Sequence, residues 1–588
     1  MKITVKQSGV ADRQFSAHEG QTILSFLANQ GLHLDAPCAG RGSCGKCRIK
    51  AEGLLSPVSE AEERVLAGTV GLRLACQARL EGEVVLELPP EARFSAVAGL
   101  GESEPYEVDS PLKRAVFPVP DRQDNTDLMT AFGLDQAGVS ALDQLAAIDA
   151  ARRETAVITW NRELLAAYPA EDDPTQGGPL AVAVDLGTTG LAVAILDAAR
   201  GTVLAQGTAL NPQTGCGGDV ISRITHASDG PAQQAELQEL AVDGIAKLIA
   251  EVAGQDRLPR IMAAAVSGNT TMNFLLAGIN PKSLAQSPYR PAFIKSLDLS
   301  HLAGRLGLPS GAKVFTSPNI SAYVGGDITS GMLAVGLKGR PGTVLYIDIG
   351  TNGEIVLSHG GRLVATSCAA GPALEGMNIM RGQRATPGAV DSFRLGPDYT
   401  RHFTTISEAP ATGICGSGLI DLTAALVSAK LIDKTGRMKT PANMETDAPA
   451  GAEWVQELKT GRFTLAGEVF FDQKDVRQVQ LAKGAIAAGV EMLLARLELT
   501  VADLDEIIIA GSFGFHLKPE SLKAIGLIPG DFAGPVRFVG NSSLAGAARM
   551  LLTPGAIAAL DALAAETTVL ELGFDPQFQT VFLRHLGF

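Results

Sequence analysis

The sequence predicts a multidomain α/β protein made of a small N-terminal domain, a small middle domain and a large C-terminal domain with two lobes. At 588 residues, the chain has room for about three to four domains of roughly 150 residues each. Four of the seven cysteines fall within the first 76 residues, and one strand-turn-strand pattern occurs twice further along. The predicted parts are an N-terminal domain over 1–92, a flexible linker over 93–110, a middle domain over 111–176 and a C-terminal domain over 177–588, with lobes at about 177–340 and 341–588.

Composition and charge narrow the classes of function. The net charge of −14 and the pI of about 5.2 argue against a nucleic-acid partner, because binding to phosphate backbones depends on clustered Lys and Arg. No apolar run approaches the ~18 residues that cross a bilayer, and the start, MKITVKQSGV, lacks the apolar core of a secretory signal. We therefore expect a cytoplasmic protein without a membrane partner, in which cysteines stay reduced and a cluster of them binds metal.

The N-terminal domain is predicted to place short strands and helices around a cysteine loop. MKITVKQ alternates like an edge strand, and QTILSFLANQG is typical of a short helix. After the loop, SEAEERVLAG is predicted to be helical, and EVVLELP forms a last strand that ends in two prolines. Cys38, Cys44, Cys47 and Cys76 follow the spacing C-x5-C-x2-C-x28-C.

The loop CAGRGSCGKC matches two nucleotide-binding patterns. Gly40, Gly42 and Gly45 fit the dinucleotide fingerprint G-x-G-x-x-G, and the same stretch fits a P-loop except that Cys47 replaces the last Ser or Thr. Both patterns need a buried strand before the loop and a helix after it. Here GLHLDAP precedes the loop and the strand-like RIKAEG follows it, so neither nucleotide interpretation fits the context.

A metal centre accounts better for the four cysteines. A [2Fe–2S] cluster is held by four thiolates on an open loop, and glycines supply the permissive backbone. Zinc is the competing interpretation, but structural zinc usually uses two C-x2-4-C pairs, and Cys76 has no second cysteine beside it. The domain resembles a [2Fe–2S] ferredoxin of the adrenodoxin-like variety. This resemblance implies a β-grasp fold, with Cys38, Cys44, Cys47 and Cys76 as the metal ligands.

The next segments carry no recognisable chemistry. AGLGESEPYEVDS is rich in Gly, Ser, Glu and Pro, as linkers are, and a linker there would let the cluster domain move. The middle domain combines strand-like AVFPVP and TAVITW with helical SALDQLAAIDAARRE and NRELLAAY. We predict a small α/β spacer domain.

The C-terminal domain contains a duplication. AVAVDLGTTGLAVAIL and VLYIDIGTNGEIVL both read as an apolar strand, Asp, an apolar residue, a Gly-Thr-x-Gly turn and a second apolar strand. Asp185 and Asp348 are 163 residues apart, which is 348 minus 185. One such hairpin can be purely structural, but two predict similar lobes across a cleft. Their turns can offer N–H groups and a Thr hydroxyl to phosphate oxygens, and their aspartates can hold hydrated Mg²⁺.

A third element, DEIIIAGSFGF, is a buried strand that runs into a glycine turn. With the two hairpins and GICGSGLID, it resembles the fold shared by acetate kinase, sugar kinases, heat-shock cognate proteins and actin. The resemblance implies that the hairpins bind the phosphates and Mg²⁺ of ATP and that the late turn binds adenosine. The implied catalytic residues are Asp185 and Asp348, and the implied ATP-binding residues are Gly187, Thr188, Thr189, Gly190, Gly350, Thr351, Asn352, Gly353, Gly511, Ser512 and Gly514.

A [2Fe–2S] domain joined to this ATPase fold resembles the reductive activators of corrinoid enzymes. Glycine-rich stretches between the motifs, including NPQTGCGGDVISRI, AYVGGDITSG and SCAAGPALEGMNIMRG, extend the resemblance over nearly the whole chain. It implies ATP-dependent transfer of one electron to a corrinoid protein of a methyltransferase system, whose cobalt goes from Co(II) to Co(I). It also implies an external electron donor, a reduced ferredoxin or flavoprotein, and leaves open whether the chain forms a homodimer.

Two other functions stay open from the residues alone. A ferredoxin-type subunit for an oxygenase or dehydrogenase would use the large domain as a scaffold only, and the duplicated hairpins argue against it. A small-metabolite kinase with an accessory cluster would need a substrate base in the cleft, and the sequence identifies none.

A few remaining residues have reactive side chains but no recognisable pattern. Cys216, Cys368 and Cys415 are isolated in sequence, so we expect buried thiols. His226 has no partner at metal-binding spacing. Lys483 lies on the apolar stripe of a predicted helix and either packs in the core or serves nucleotide.

Overall fold

The structure is a computed structural model. It describes residues 1–7, 10–30, 32, 34, 40, 42, 45, 47–66, 71–88, 100–119, 126–440, 457–511 and 517–588. The predicted multidomain α/β architecture is confirmed. Within these ranges, every helix is too short or too polar to span a membrane.

The N-terminal domain is a five-stranded mixed sheet covered by a helix. Its strands run in the order β2-β1-β5-β3-β4, with β1 and β5 parallel at the centre. Phe26 and Leu27 of the helix pack against Ile3 and Leu86 of these two strands. This is the predicted β-grasp arrangement. The elements are β1 (Lys2–Gln7), β2 (Val10–Ser16), α1 (Ile23–Asn29), β3 (Arg48–Leu55), α2 (Glu60–Leu66), β4 (Leu72–Leu74) and β5 (Leu80–Leu88).

The first described part of the predicted linker is not a free segment. Residues 100–110 run over the C-terminal domain, and their N–H groups bond carbonyl oxygens there. The Glu104 carboxylate accepts a hydrogen bond of 2.8 Å from Arg537 and forms a second ion pair with Arg340. A flexible linker is therefore wrong for this stretch, because its polar residues make specific contacts. Residues 93–99 of the predicted linker lie outside the described ranges.

The middle domain is a four-stranded sheet, in the order β6-β8-β9-β7, with two helices. The prediction of a helix over NRELLAAY is wrong, since most of this stretch forms β9. Asn161 and Arg162 adopt φ values of 48° and 65°, as the tight hairpin turn between β8 and β9 requires. The elements are β6 (Leu112–Phe117), α3 (Leu128–Ala131), β7 (Gln136–Ala137), α4 (Val139–Ala150), β8 (Thr155–Trp160) and β9 (Glu163–Pro169).

The first lobe is built on a five-stranded sheet in the order β12-β11-β10-β13-β14. Strand β10 pairs antiparallel with β11 and parallel with β13, so it lies at the centre and is buried on both faces. The elements are β10 (Leu180–Leu186), β11 (Gly190–Asp197), β12 (Val203–Leu210), α5 (Val220–Ser228), α6 (Pro231–Ala253), β13 (Ile261–Gly268), α7 (Thr270–Leu276), β14 (Lys313–Thr316) and α8 (Gly326–Ala334).

The second lobe repeats this plan around β15 and β16, in a six-stranded sheet ordered β24-β23-β15-β16-β17-β25. Smaller sheets of three and two strands flank it. The strands are β15 (Thr343–Ile349), β16 (Gly353–His359), β17 (Arg362–Cys368), β18 (Ala389–Leu395), β19 (Arg401–Thr405), β20 (Gly413–Ile414), β21 (Arg462–Ala466), β22 (Val469–Asp472), β23 (Glu506–Ala510), β24 (Val536–Gly540) and β25 (Thr568–Val569). The helices are α9 (Gly416–Ser428), α10 (Gln473–Arg496), α11 (Pro519–Ala524), α12 (Ser542–Leu552), α13 (Ala556–Glu566) and α14 (Phe578–Arg584).

Helices α8 and α12 join the two lobes. Although α12 follows β24 of the second lobe, it packs on β10 and β13 of the first. The helices approach closely at Gly546, where a Cβ atom would lie 2.0 Å from the Ser330 carbonyl oxygen. The start of α12 is thereby carried into the space between the two hairpins.

Candidate functional site

The cysteine loop and the returning Cys76 form the first candidate site. The Cys47 and Cys76 sulfurs lie 3.3 Å apart and are buried. This separation is too long for a disulfide, whose sulfurs lie about 2.05 Å apart, and it suits two thiolates on one tetrahedral metal ion. Cys38 and Cys44 lie outside the described residues.

Glycines shape the described part of this loop. Gly40, Gly42 and Gly45 have φ values of 81°, 66° and 65°, which side chains disfavour. A Cβ atom on Gly45 would lie 2.6 Å from Val65. The Gln77 amide donates a 2.6 Å hydrogen bond to the Gly40 carbonyl and ties the loop to the turn between β4 and β5 that carries Cys76. The paired thiols and the tight glycine loop fit a [2Fe–2S] cluster.

The second candidate site is a cleft of about 500 Å³ between the tips of the two predicted hairpins. The hairpin β10–β11 enters from one side and β15–β16 from the other. The predicted site residues that line it are Asp185, Gly187, Thr188, Thr189, Gly190, Asp348, Gly350, Thr351, Asn352 and Gly511. The structure thus brings two motifs together that are far apart in the sequence.

Three predicted residues stand apart from this set. Gly353 is buried at the start of β16, where a Cβ atom would lie 2.7 Å from Ile486, so its role is close packing. Ser512 and Gly514 lie outside the described residues.

Asp185 is held by the start of α12. Its carboxylate accepts hydrogen bonds of 2.8 Å from the Asn541 amide and from the Ser543 hydroxyl. Ser543 also hydrogen bonds the Ser267 hydroxyl at 2.9 Å, at the end of the neighbouring strand β13. Asp185 is therefore fixed by two groups at the start of α12, one of which is itself held by β13.

A group of carboxylates gathers around Asp185. Burial raises the pKa of Asp348 to about 7, and the charge of Asp185 adds to this effect. Burial, with the charges of Asp348 and Asp185, also raises the pKa of Asp327, and burial raises the pKa of Glu354 well above its ordinary value. Several carboxylates that repel one another in a low-dielectric cleft make a site for a cation, so the residues fit Mg²⁺.

The first hairpin is supported from behind by buried polar side chains. Asn211 donates to the Gly187 carbonyl at 2.8 Å, and the buried Arg223 donates to the Thr188 carbonyl. The Asn269 amide donates to the Thr188 hydroxyl at 2.9 Å. These contacts preorganise the turn, so that its N–H groups can face an anion.

Glu375 connects the two hairpins. Its carboxylate accepts a 3.0 Å hydrogen bond from the Thr351 hydroxyl and another from Thr189. Arg384 also lines the cleft and is its one Arg or Lys among the described residues. The cleft is thus mainly acidic, and a polyphosphate would enter it together with a divalent cation.

Several of these cleft residues were not predicted from the sequence. Asp327 begins α8 within AYVGGDITSG, Glu375 lies in SCAAGPALEG, and Asn541 precedes α12 in VGNSSLAG. Each lies in a glycine-rich stretch, which was the available signal. Their side chains reach the cleft only through tertiary packing.

Lys483 lies in the core and not in the cleft. It donates to the Gly587 carbonyl and lies 5.1 Å from the centre of the Phe588 ring. Burial lowers its pKa to about 8. The core interpretation of this lysine is therefore the correct one of the two.

A ferredoxin-type domain joined to a two-lobed nucleotide-binding fold defines a class of ATPase that carries its own redox domain. Family models match three parts of the chain: a 2Fe-2S iron-sulfur cluster binding domain over residues 4–81, the RACo middle region over 180–340, and the C-terminal domain of RACo, the ASKHA domain, over 342–588. The two RACo matches together span more than half of the chain, and the chain belongs to the RACo family.

Individual relatives agree with this assignment. The chain is 28% identical over 98% of its length to the corrinoid activation enzyme RamQ of Eubacterium limosum, and covers 98% of that protein. It is 25% identical to the Co(II) methylated amine-specific corrinoid protein reductase of Methanosarcina barkeri, over 63% of this chain and 69% of that one. The solved structure of a reductive activator for corrinoid, iron-sulfur protein superposes with a TM-score of 0.72 and 29% identity, covering 100% of this chain and 98% of that one.

Proposed function

We propose that this protein is an ATP-dependent reductive activator of a corrinoid protein in a methyltransferase system. The observation that carries this proposal is the presence of a cysteine loop and a two-hairpin cleft in one chain. Relatives that match nearly the whole length of this chain are named as corrinoid activators. One electron from this chain reduces Co(II) to Co(I). An external donor, a reduced ferredoxin or flavoprotein, then supplies one electron that reduces the chain again. ATP and water become ADP and phosphate.

The need for ATP follows from the direction of electron transfer. Reduction of corrinoid Co(II) is uphill for an ordinary ferredoxin electron, and each tenfold shift of a one-electron equilibrium requires about 59 mV. Nucleotide binding can supply this free energy only if the two states of the ATPase bind the corrinoid protein differently. A [2Fe–2S] cluster supplies a one-electron carrier when it is bound by Cys38, Cys44, Cys47 and Cys76.

The cleft residues have separate tasks in this proposal. Asp185 and Asp348 would hold Mg²⁺, and Asp327 lines the same cleft. The hairpin turns at Thr188 and Thr351 bind the phosphates through N–H and hydroxyl groups. Burial and mutual repulsion raise the pKa values of the cleft carboxylates. Mg²⁺ would neutralise their negative charge, so that the phosphates of ATP could bind next to them.

A direct connection runs from the cleft to the tether of the cluster domain. The Gly101 N–H donates to the Asn541 carbonyl at 3.2 Å, and the Asn541 side chain bonds Asp185. A change at Asp185 on nucleotide binding therefore reaches the segment that holds the cluster domain within two contacts. We propose this connection as the route by which nucleotide state alters presentation of the cluster.

The test is anaerobic spectroscopy of a Co(II) corrinoid protein with this chain, ATP and a reductant. Wild type should form Co(I) only with ATP, and Asp185→Ala should slow Co(I) formation by about 100-fold or more while the cluster absorption stays intact. His301→Gln, at an exposed position outside both sites, is the control. Equal Co(I) formation with and without ATP would refute the proposal.

Two further assays separate the other candidate functions. Phosphorylation of a small metabolite would favour a kinase, and electron delivery to an oxygenase without ATP would favour a ferredoxin-type subunit. We further propose a cytoplasmic setting, in which the cysteines stay reduced. Light scattering of the cluster-loaded protein would decide between a monomer and a homodimer.

A further inference from the structure

Three side chains of the kind that bind metals meet at a corner of the first lobe outside the nucleotide cleft. Cys216 follows the 3-10 turn Pro212–Gly215, His226 lies in the last turn of α5, and Glu236 lies in α6. The Cys216 sulfur, a His226 ring nitrogen and a Glu236 carboxylate oxygen all lie within 4.8 Å of one another. His226 has no partner at metal-binding spacing in the sequence. The reversal of the chain between α5 and α6 brings the three side chains together.

The corner is well ordered by its own local contacts. Asp219 begins α5 with a reciprocal cap, in which its carboxylate accepts from the Ser222 N–H at 2.7 Å and its own N–H donates to the Ser222 hydroxyl at 3.1 Å. Gly217 lies so close to α5 that a Cβ atom would be 2.6 Å from the Ser222 hydroxyl. Pro231 begins α6 directly after the reversal. The three donor atoms are therefore held on fixed backbone.

The charges at the corner favour a cation. The His226 and Glu236 side chains are 2.9 Å apart. Cys216 lies within 4.8 Å of both of them. A divalent cation would supply the positive charge that a thiolate and a carboxylate side by side lack.

We propose that Cys216, His226 and Glu236 bind one zinc ion. Thiolate, imidazole and carboxylate are the three protein ligands that zinc prefers, and a site with three of them keeps a fourth position for water. Donor atoms around a tetrahedral zinc ion lie about 3.3–3.8 Å apart. The His226–Glu236 pair, at 2.9 Å, therefore needs to open slightly, and the longest donor separation, which is no more than 4.8 Å, needs to shorten by about 1 Å or less. Glu236, whose side chain is 54% exposed, leaves the open side for that water.

The ion would stabilise the support of the first phosphate hairpin. The segment from Asn211 to Arg223 contains Cys216 and holds the hairpin through the Gly187 and Thr188 carbonyls. Zinc would tie this segment to α5 and α6 at once. Because a ligand that binds only the folded state stabilises that state, zinc should also raise the unfolding temperature of the chain.

The first experiment uses the cluster-loaded protein. After incubation with one equivalent of zinc and removal of unbound metal, wild type should retain one zinc per chain. Cys216→Ser and Glu236→Gln should bind zinc at least about tenfold more weakly in competition with a chromophoric chelator, and should lose the zinc-dependent rise in unfolding temperature. Glu239→Gln, on the same helix, and His301→Gln are exposed controls that should retain wild-type affinity.

The second experiment identifies the ligands. X-ray absorption at the zinc edge should show one sulfur at about 2.3 Å, with the other ligands at about 2.0–2.2 Å. Four sulfurs would mean zinc in the cysteine loop, and would overturn the proposal. Retention of zinc by Cys216→Ser at wild-type affinity would also overturn the proposal. Failure of wild type to retain zinc would overturn it as well, and would mean that His226 and Glu236 form an ion pair only. Cluster absorption and nucleotide binding report the folding of each variant, and Glu236→Gln at the surface carries the test if Cys216→Ser misfolds.

Discussion

At the residue scale, the carboxylate of Asp348 should make the proposed binding of nucleotide sensitive to pH. Burial and the charge of Asp185 raise its pKa to about 7, so the group is mostly protonated at pH 6 and mostly ionised at pH 8. In the proposed site, only the ionised form would bind Mg²⁺. Affinity for Mg²⁺ and ATP should therefore rise about tenfold between pH 6 and pH 8.

Calorimetry in two buffers with different heats of ionisation measures this effect as proton release. Asp348→Asn should release fewer protons and flatten the pH dependence, and an unchanged profile in that variant would contradict the assignment. The free energy of unfolding of the metal-free protein depends on pH in the opposite direction and falls as pH rises. Because the folded pKa of Asp348 lies above its unfolded value, its contribution to stability is complete below about pH 4 and is lost as pH rises through about 7.

At the element scale, the contact of α8 with α12 depends on the absence of a side chain at Gly546. Helix propensity alone would make Gly546→Ala stabilising by about 1 kcal/mol. A Cβ atom there would lie 2.0 Å from the Ser330 carbonyl oxygen, however, and backbone cannot move aside cheaply. We expect a net loss of about 1–3 kcal/mol in the free energy of unfolding.

Chemical denaturation of Gly546→Ala tests whether the substitution lowers or raises the free energy of unfolding. A Cβ atom on Gly304 would meet no other atom within 4 Å, and the φ of Gly304 is not positive. Gly304→Ala is therefore the matched control and should be neutral or slightly stabilising. Stabilisation by Gly546→Ala would show that the two helices do not pack as closely as described.

The segment of residues 100–110 is the second element with a testable role. Glu104 holds it to the C-terminal domain through Arg537 and Arg340, which together keep the pKa of Glu104 below its usual value. Glu104→Gln should speed hydrogen exchange in this segment. It should cost only about 1 kcal/mol or less in global stability, because the pair is partly exposed.

Mass spectrometry of hydrogen exchange resolves this segment from the rest of the chain. Glu107→Gln, at an exposed position in the same stretch, should leave the exchange unchanged. Equal exchange in wild type and Glu104→Gln would mean that the backbone hydrogen bonds alone hold the segment.

At the scale of the whole molecule, the redox and nucleotide sites are built from separate parts of the chain. A substitution that disables one site should therefore leave the other one functional. Cys76→Ser should abolish the visible cluster absorption and leave ATP affinity within about twofold of wild type, since the cysteine loop shares no residue with the cleft. Cys368→Ser, which removes a buried thiol from the second lobe, should keep the cluster. Loss of ATP binding in Cys76→Ser, with the fold intact by circular dichroism, would contradict this independence.

The parts of the molecule that sequence reasoning reaches are those specified locally. The hairpins at Asp185 and Asp348 could be found because strand, aspartate and glycine turn are consecutive, and the cysteine spacing likewise lies in the chain itself. Asn541 and Asp327 were missed because they reach the cleft through the packing of α12 and α8, which no local pattern encodes. β9 was predicted as a helix because its apolar run fits both periods, and the turn at Asn161 decides between them.

The attachment of residues 100–110 limits how far the cluster can travel. Leu88 ends the cluster domain and Leu100 bonds the C-terminal domain, so eleven residues lie between the domain and its anchor. Covalent geometry restricts the twelve Cα–Cα steps of this span to about 43 Å. The cluster domain is therefore confined to a small volume beside the ATPase, where its effective concentration reaches the millimolar range. For a corrinoid protein that docks within this radius, the cluster domain is held nearby and does not have to diffuse in from bulk solution. Lengthening the tether should therefore lower the rate of electron transfer even when every contact is preserved.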